Sequence, residues 1–355
     1  MNRCSGPEGF EVMGHNLISR RFAGLAGTLA AALLFCFSAL PPAAAAPACI
    51  GADVVAEMRA GDVAAYRRLV DEGDGEINGT GKFWRLEKAG LAPSFLFGTM
   101  HATDDRATAL PPQLRRALAG VDTVIVESLD ALDAKRSEQA MAASRGLLVY
   151  GDGRGLAQRL GPDRRAALAR ELAKAGLDLG KTGALKPWML AMALSVPACE
   201  TARRAEAQSV DVVVAALARD LGKPLEGLES MAEQFSAFDR IGEDFQIEFL
   251  VSAARLFPRL NDVFATMTNL YVEGRIGRLK ALSVILAEQT GVSDRANAAF
   301  NANLIDSRNE RMFSRALPSV EKGGVMIAVG ALHLPGEGGL VQRFRGAGFT
   351  VTRLY

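Results

Sequence analysis

Two short, unbroken hydrophobic runs stand out along the chain, and both end in the same way. Ser94-Phe95-Leu96-Phe97 closes on Gly98-Thr99-Met100-His101, and Val325-Met326-Ile327-Ala328-Val329 closes on Gly330-Ala331-Leu332-His333. Short apolar runs bounded by glycine have the length and composition of buried strands. After the first run, Pro111 and Pro112 can open a helix whose apolar side includes Leu114 and Leu118 and which ends at Gly120. Residues 121–126 then read as a second apolar strand, with Glu127 as its last residue. After the second run, residues 340–344 read as a short helix and 349–353 as a strand, and Ala347-Gly348 leads into that strand much as Ala119-Gly120 leads into Val121. A strand–helix–strand unit of this length almost always places its strands parallel, with a right-handed crossover. His101 and Glu127 are therefore expected at the carboxyl ends of two strands of one sheet, the edge at which open α/β sheets build their sites.

The rest of the pattern is mostly helical. Residues 52–72 read as one helix with Val54, Val55, Met58, Tyr66 and Leu69 on an apolar side. Phe83-Trp84-Arg85-Leu86 pairs as a hairpin with residues 94–97 across a loop holding Gly90 and Pro93. From about 131 to 318 the periodicity is helical, interrupted by Gly176, Gly180 and Gly222, with one extended piece at 224–228 that can add a strand. Trp188 and Tyr271 read as core. The expected fold class is α/β: a central mixed sheet built from two strand–Gly-x-x-His–helix–strand units, with a large helical insertion at about 131–318 that covers the strand ends.

Composition changes this picture at four points. A chain of 355 residues with 49% hydrophobic content and a formal net charge of +1 can bury a substantial core, and it offers no electrostatic reason to bind nucleic acid. Arg20-Arg21, the apolar stretch 22–40 and the alanines at 43–46 form a secretory signal pattern. We therefore expect residues 1–46 to be a signal peptide and 47–355 a single domain that is periplasmic or secreted, with no membrane contact unless the segment is retained as an anchor. Of the four cysteines, Cys4 and Cys36 lie in that segment; Cys49 and Cys199 remain, and an oxidising compartment predicts that they pair. Of the three histidines His15 goes with the signal, so both that remain occupy the Gly-x-x-His motif.

Imidazoles and a carboxylate converging at strand ends can hold a divalent metal in an open three-ligand site, or activate water directly with one histidine as general base. Glycine in the motif would let the backbone turn sharply off the strand. One such motif is as well explained by a satisfied histidine near a turn; two copies that use every remaining histidine favour a shared site. Arg308 and Asn309 precede the second motif on a helix and can supply a cation and an amide to an anionic intermediate, or else belong to a solvated face with Glu310 and Arg311. Asp104, Asp105 and Arg106 follow His101 and can rim the same cleft, but read more simply as an exposed charged loop. The chain has no His-Glu-x-x-His, Cys-x-x-Cys or Gly-x-Ser-x-Gly and no phosphate-cradling glycine loop. These absences point away from the common zinc proteases, serine hydrolases and nucleotide enzymes.

Most of the chain beyond the signal resembles the TraB/PrgY/GumN family, which includes the Tiki proteins. The likeness rests on SFLFGTMH, LP and VIVE, then KPWMLAMAL, CETARR, SVDVVVAALARDLGKPLEGLES, Glu233-Gln234, NLYVEGRIGRL and SRNERM, and finally VGALHLPGEGGL, in that order. The resemblance implies a fold similar to the erythromycin esterase and ChaN-like proteins. It also implies the chemistry ascribed to Tiki proteins, metal-dependent proteolysis by two Gly-x-x-His motifs and a Glu, which falls here on His101, Glu127 and His333. The expected function is a hydrolase acting on a peptide or small molecule, most simply a metal-dependent peptidase with a divalent metal of unspecified identity. A metal-free esterase-like hydrolase and a non-enzymatic peptide- or haem-binding protein are the competing readings.

Overall fold

The structure, a computed structural model, describes residues 49–355 apart from residue 205. The expected signal peptide lies outside the described residues. Among the described residues no helix is long and apolar enough to cross a membrane.

Six strands form one mixed sheet: β1 (Phe83–Glu87), β2 (Ser94–Thr99), β3 (Thr123–Val126), β4 (Leu225–Gly227), β5 (Val325–Gly330) and β6 (Thr350–Arg353), in the order β4-β3-β5-β2-β1-β6. β4, β3, β5 and β2 are mutually parallel, whereas β1 runs antiparallel to both β2 and β6. The hairpin and the extra strand near 224–228 thus match expectation, and the strands that carry the two motifs are direct neighbours. Their register aligns Gly98 with Val329 and Thr99 with Gly330, while Val126 pairs with Ala328. The two motifs and Glu127 consequently leave the sheet at nearly one level.

Both faces of the sheet are covered, which is why its central strands read as continuous hydrophobic runs rather than alternating ones. Side-chain alternation divides them: Phe97, Val124, Val126, Met326 and Ala328 enter one core, and Leu96, Ile125, Ile327 and Val329 the other. The first core holds Tyr271 and the apolar sides of helices Pro112–Gly120, Val210–Asp220 and Ile276–Gln289. The second is closed by Met312, Ala316 and Val320 of the helix Ser307–Val320 and by Val341 and Phe344 of the helix Leu340–Gly346. A further cluster, including Leu168, Leu172, Leu190 and Leu250, lies among helices between β3 and β5. Trp188 is buried, as expected.

Three local expectations are corrected. Residues 52–72 are not one helix: Val54–Gly61 and Val63–Gly75 are separate, because the Asp62 carboxylate accepts from Ala65 N at 3.0 Å and starts a new helix after the weak helix former Gly61. The loop after His101 is not simply exposed, since Asp104 is buried, caps the helix Asp105–Thr108 and binds Arg106 through both carboxylate oxygens. The motif glycines do not serve to reverse the chain, because neither has a positive φ. A Cβ on Gly98 would lie 2.8 Å from Leu334 Cδ1 and 2.9 Å from Ala331 Cα, so this glycine lets the second motif pack against the first.

Cys49 and Cys199 form the expected disulfide. It ties the first described residue to the helix Ala198–Arg203, whose buried Glu200 accepts from both the backbone N–H and the hydroxyl of Thr103. The covalent link is thereby connected to the loop that follows His101.

Candidate functional site

Four parallel strands deliver residues to one edge. β2 leads to His101, β3 to Glu127, β4 to Glu229 and β5, through the single 3-10 turn Ala331–His333, to His333. Helices from between β3 and β5 return over this edge. The helix Val210–Asp220 brings Asp211, the helix Met231–Asp239 brings Gln234, and the helix Ser307–Val320 brings Arg308 and Asn309. Ser230 and Glu233 form a reciprocal cap at the start of Met231–Asp239, which fixes Glu229 and Gln234 on either side of it. A π-helical turn, Asn301–Asp306, immediately precedes the helix Ser307–Val320 that carries Arg308, the kind of turn often found at functional sites.

Glu127 is the centre. Its Oε1 accepts from Gln234 Nε2 at 2.8 Å and from the Arg308 guanidinium, and its Oε2 accepts from Gly330 N at 3.0 Å. Burial opposes its charge, but Arg308, His333, His101 and the Gly330 N–H together outweigh it and bring the carboxyl down to about 2. A Cβ on Gly330 would lie 3.4 Å from Glu127 Oε2 and 3.5 Å from His333 Cδ2, so this glycine occupies the gap between the two side chains.

The two histidines are held differently. His101 Nδ1 lies 2.7 Å from Asp211 Oδ2, and Thr99 donates its hydroxyl to the other oxygen of the same carboxylate. The Asp211 charge and this bond raise the pKa of His101 to about 9, against a smaller opposing contribution from burial. The ring is 66% exposed, so the pairing sets its charge state more than it stabilises the fold. His333 is only 4% exposed and its Nδ1 lies 2.7 Å from Asn309 Oδ1. Asn309 donates its own Nδ2 to Gly338 O at 3.0 Å. This orients Oδ1 as the acceptor and makes His333 Nδ1 the protonated nitrogen, leaving Nε2 with its lone pair. Burial, reinforced by Arg308 and opposed by Glu127, pushes the pKa of His333 down to about 4. At neutral pH one histidine is a cation and the other is neutral.

Arg308 and Asn309 are 7% and 0% exposed, so they do not belong to a solvated face. Arg308 is the second member of an alternating run of charges: Glu127, Arg308, Glu229, Arg311, Glu233 and Arg315 each contact the next. Glu229 is fully buried between Arg308, at 2.8 Å, and Arg311, at 2.6 Å. The run ends at Arg315, which is 45% exposed.

His101, Glu127, Asp211 and Gln234 line a common cleft with Ser128 and Leu132, whose free volume is about 30 Å³. His333 flanks Glu127 across Gly330 but is not among the residues that line the cleft. Sequence reasoning gave no site role to Asp211, Gln234 or Glu229, although all three lie in segments that carry the family resemblance. A Ser-x-x-Glu signature at Ser230 could have placed a helix start beside Glu229, but nothing local marks Asp211.

A divalent metal fits this donor set only in part. Both histidines have Nδ1 anchored with Nε2 unbonded among the described residues, the usual arrangement for imidazole ligands. Glu127, however, has both oxygens engaged, one of them by a guanidinium, and no group of three His, Cys, Asp or Glu side chains among the described residues is arranged to hold a metal. The His101–Glu127–His333 ligand set implied by the family resemblance therefore does not fit the arrangement seen.

The fold and this edge define a class: an α/β protein with a histidine–carboxylate cleft at the carboxyl ends of parallel strands. The chain belongs to the TraB/PrgY/gumN family, whose model matches residues 82–353, from the residue before β1 to the end of β6. No curated protein and no solved structure matches it.

Proposed function

We propose that the protein is a hydrolase of amide or ester bonds in the periplasm or outside the cell, with peptides as the substrate class that the Tiki resemblance implies. One observation carries this reading. Two histidines flank one ionised glutamate, one anchored on a carboxylate and the other on a carboxamide, so that their protonation states are driven apart. Titratable groups separated in this way supply an acid and a base at the same pH. Glu127, which lines the cleft, orients a water and passes its proton to His333 Nε2, the neutral ring that flanks the carboxylate across Gly330. The water oxygen adds to the acyl carbon, and His101 delivers its Nε2 proton to the departing nitrogen or oxygen as that bond breaks. Proton exchange with solvent restores both rings. Arg308 keeps Glu127 ionised, and Asp211 and Asn309 hold the two rings by Nδ1.

The two anchored Nδ1 atoms favour a second reading, in which both Nε2 atoms hold a divalent metal that supplies Lewis-acid activation of water. No step is assigned to it here, because Glu127 is committed to Arg308. The test is hydrolysis of fluorogenic peptide and ester libraries. His101→Ala, His333→Ala and Glu127→Gln should each abolish turnover, with little change in thermal stability for the exposed His101 and a loss of about 1–3 kcal/mol for the buried, hydrogen-bonded His333 and Glu127, and wild-type activity should survive a chelator. Activity lost to chelation and restored by a divalent metal establishes the second reading instead. Full activity in both histidine variants removes the hydrolase reading at this site.

A further inference from the structure

The exposed ring of His101 hangs from a stretch of chain with no helix or strand, Met100–Asp104. What fixes that stretch is Thr103. It is fully buried, and every polar atom of it is taken by the short helix Ala198–Arg203. Its N–H donates to Glu200 at 3.2 Å. Its hydroxyl donates to Glu200 at 3.1 Å and accepts from Arg203 Nε at 3.1 Å, and its carbonyl accepts from Arg203 Nη2 at 2.9 Å. Glu200 and Arg203 are the only buried side chains of that helix, so its seat against the loop is polar. Burying a carboxylate and a guanidinium is costly, and an apolar seat would hold a helix without that cost. Apolar burial, however, is non-directional, whereas hydrogen bonds demand a fixed geometry. The helix is also tied by Cys199 to Cys49. The chain then runs on into the helix Val210–Asp220, which brings Asp211 to within 2.7 Å of His101 Nδ1. Neither Glu200 nor Arg203 lines the cleft.

We propose that Glu200 and Arg203 are positioning residues which, by clamping Thr103, fix the backbone at His101 so that its ring stays bonded to Asp211. The consequence for turnover rests on the hydrolase reading, in which His101 is the acid; the fixing of the ring does not. With the clamp broken, the loop shifts, the ring leaves Asp211 and proton delivery to the leaving group slows. Glu127 and His333 keep their own partners, Gln234 and Asn309.

The experiment compares wild type with Thr103→Val, which keeps the shape and loses the hydroxyl, Thr103→Ser, which retains the hydroxyl, and Glu200→Gln, which keeps the shape and removes the charge. Each protein carries isotope-labelled histidine, and the ring-nitrogen NMR shifts of His101, identified by their loss in His101→Gln, report its bond to Asp211. Kinetics are measured on the best fluorogenic substrate. Thr103→Val and Glu200→Gln should move the His101 signals and leave those of His333 in place. Both should lower kcat by about 10- to 100-fold, the scale of a misplaced catalytic group, with KM close to wild type. Thr103→Ser should keep wild-type signals and kcat. Glu200→Gln carries the test should Thr103→Val not fold. His101 signals that stay in place in the folded variants overturn the proposal, because the clamp then does not hold the ring. So do signals of both histidines that move together with a kcat that tracks thermal stability, because the loss is then a general loosening. A wild type that cuts nothing in the peptide and ester libraries removes the hydrolase reading, and the ring shifts alone then uphold or overturn the positioning of His101.

Discussion

Replacing Arg308 with methionine keeps most of the side chain's length and removes its charge from between two carboxylates. The side chains of Arg308, Glu127 and Glu229 are 9%, 13% and 0% exposed, so this ion network is a buried one. Removing one partner of a buried pair costs about 3–5 kcal/mol because the other charge is left uncompensated. Here the losses are unequal. Glu229 keeps Arg311 at 2.6 Å, whereas Glu127 keeps two uncharged hydrogen-bond donors, Gln234 at 2.8 Å and the Gly330 N–H at 3.0 Å, and only the longer-range charge of His101. The stranded charge is chiefly that of Glu127, and the expected destabilisation is at the lower end, about 3 kcal/mol. Adding Glu127→Gln should recover about 2 kcal/mol of it, the scale of coupling between residues in direct contact. Urea unfolding followed by the fluorescence of Trp84 and Trp188, both buried, would measure each corner of the cycle. A loss below about 1 kcal/mol in the single variant, or a double variant equal to the sum of the singles, would show that Arg308 does not hold the carboxylate as described.

Two further outcomes concern stability. Lys82 is 3% exposed, with Nζ 2.8 Å from Tyr271 O and over the Tyr271 ring, and burial lowers its pKa from 10.5 to about 8. The unfolded chain then binds the extra proton between pH 8 and 10.5, so this group's contribution to stability rises by about 3 kcal/mol across that window; Lys82→Met should flatten the rise in chemical unfolding measured from pH 7.5 to 10.5, and an unchanged pH slope would refute it. Removing the Cys49–Cys199 bond, which spans a sequence separation of 150, by a double serine substitution should cost about 2–4 kcal/mol, and a denaturation midpoint equal to wild type would show that the link does not stabilise the fold.

The sheet and part of its site were legible because the signals are local. Phe95 to Phe97 and Val325 to Val329 are uninterrupted because both faces of the sheet are buried, and the histidines and Glu127 come directly off strand ends. Arg308 and Asn309 were visible as a helical pair, but their burial was not, since Glu310 and Arg311 beside them look equally solvated in the sequence. Asp211 was invisible for a physical reason: it follows Val210 at the start of an ordinary amphipathic helix, and only the return of that helix over β2 brings its carboxylate to His101. Gln234 and Glu229 acquire their roles in the same long-range way. The motif glycines were read as turn formers because isolated sequence offers conformational freedom as the obvious reason for glycine. The close approach of Ala331 to Gly98 exists only once the second motif has packed beside the first.

The alternating charges from Glu127 to Arg315 also bear on how this family can diversify. Each interior member answers to two neighbours of opposite sign, and three carboxylates face three guanidinium groups in a single file from the cleft to the surface. A lone substitution inside the file breaks two pairings at once, whereas a change at the solvent end disturbs one exposed contact. Sequence drift there should therefore proceed from the surface inwards and by paired replacements. Relatives that have lost the arginine nearest the cleft would be expected to have altered the glutamates on both sides of it, and with them the charge at the floor of the cleft.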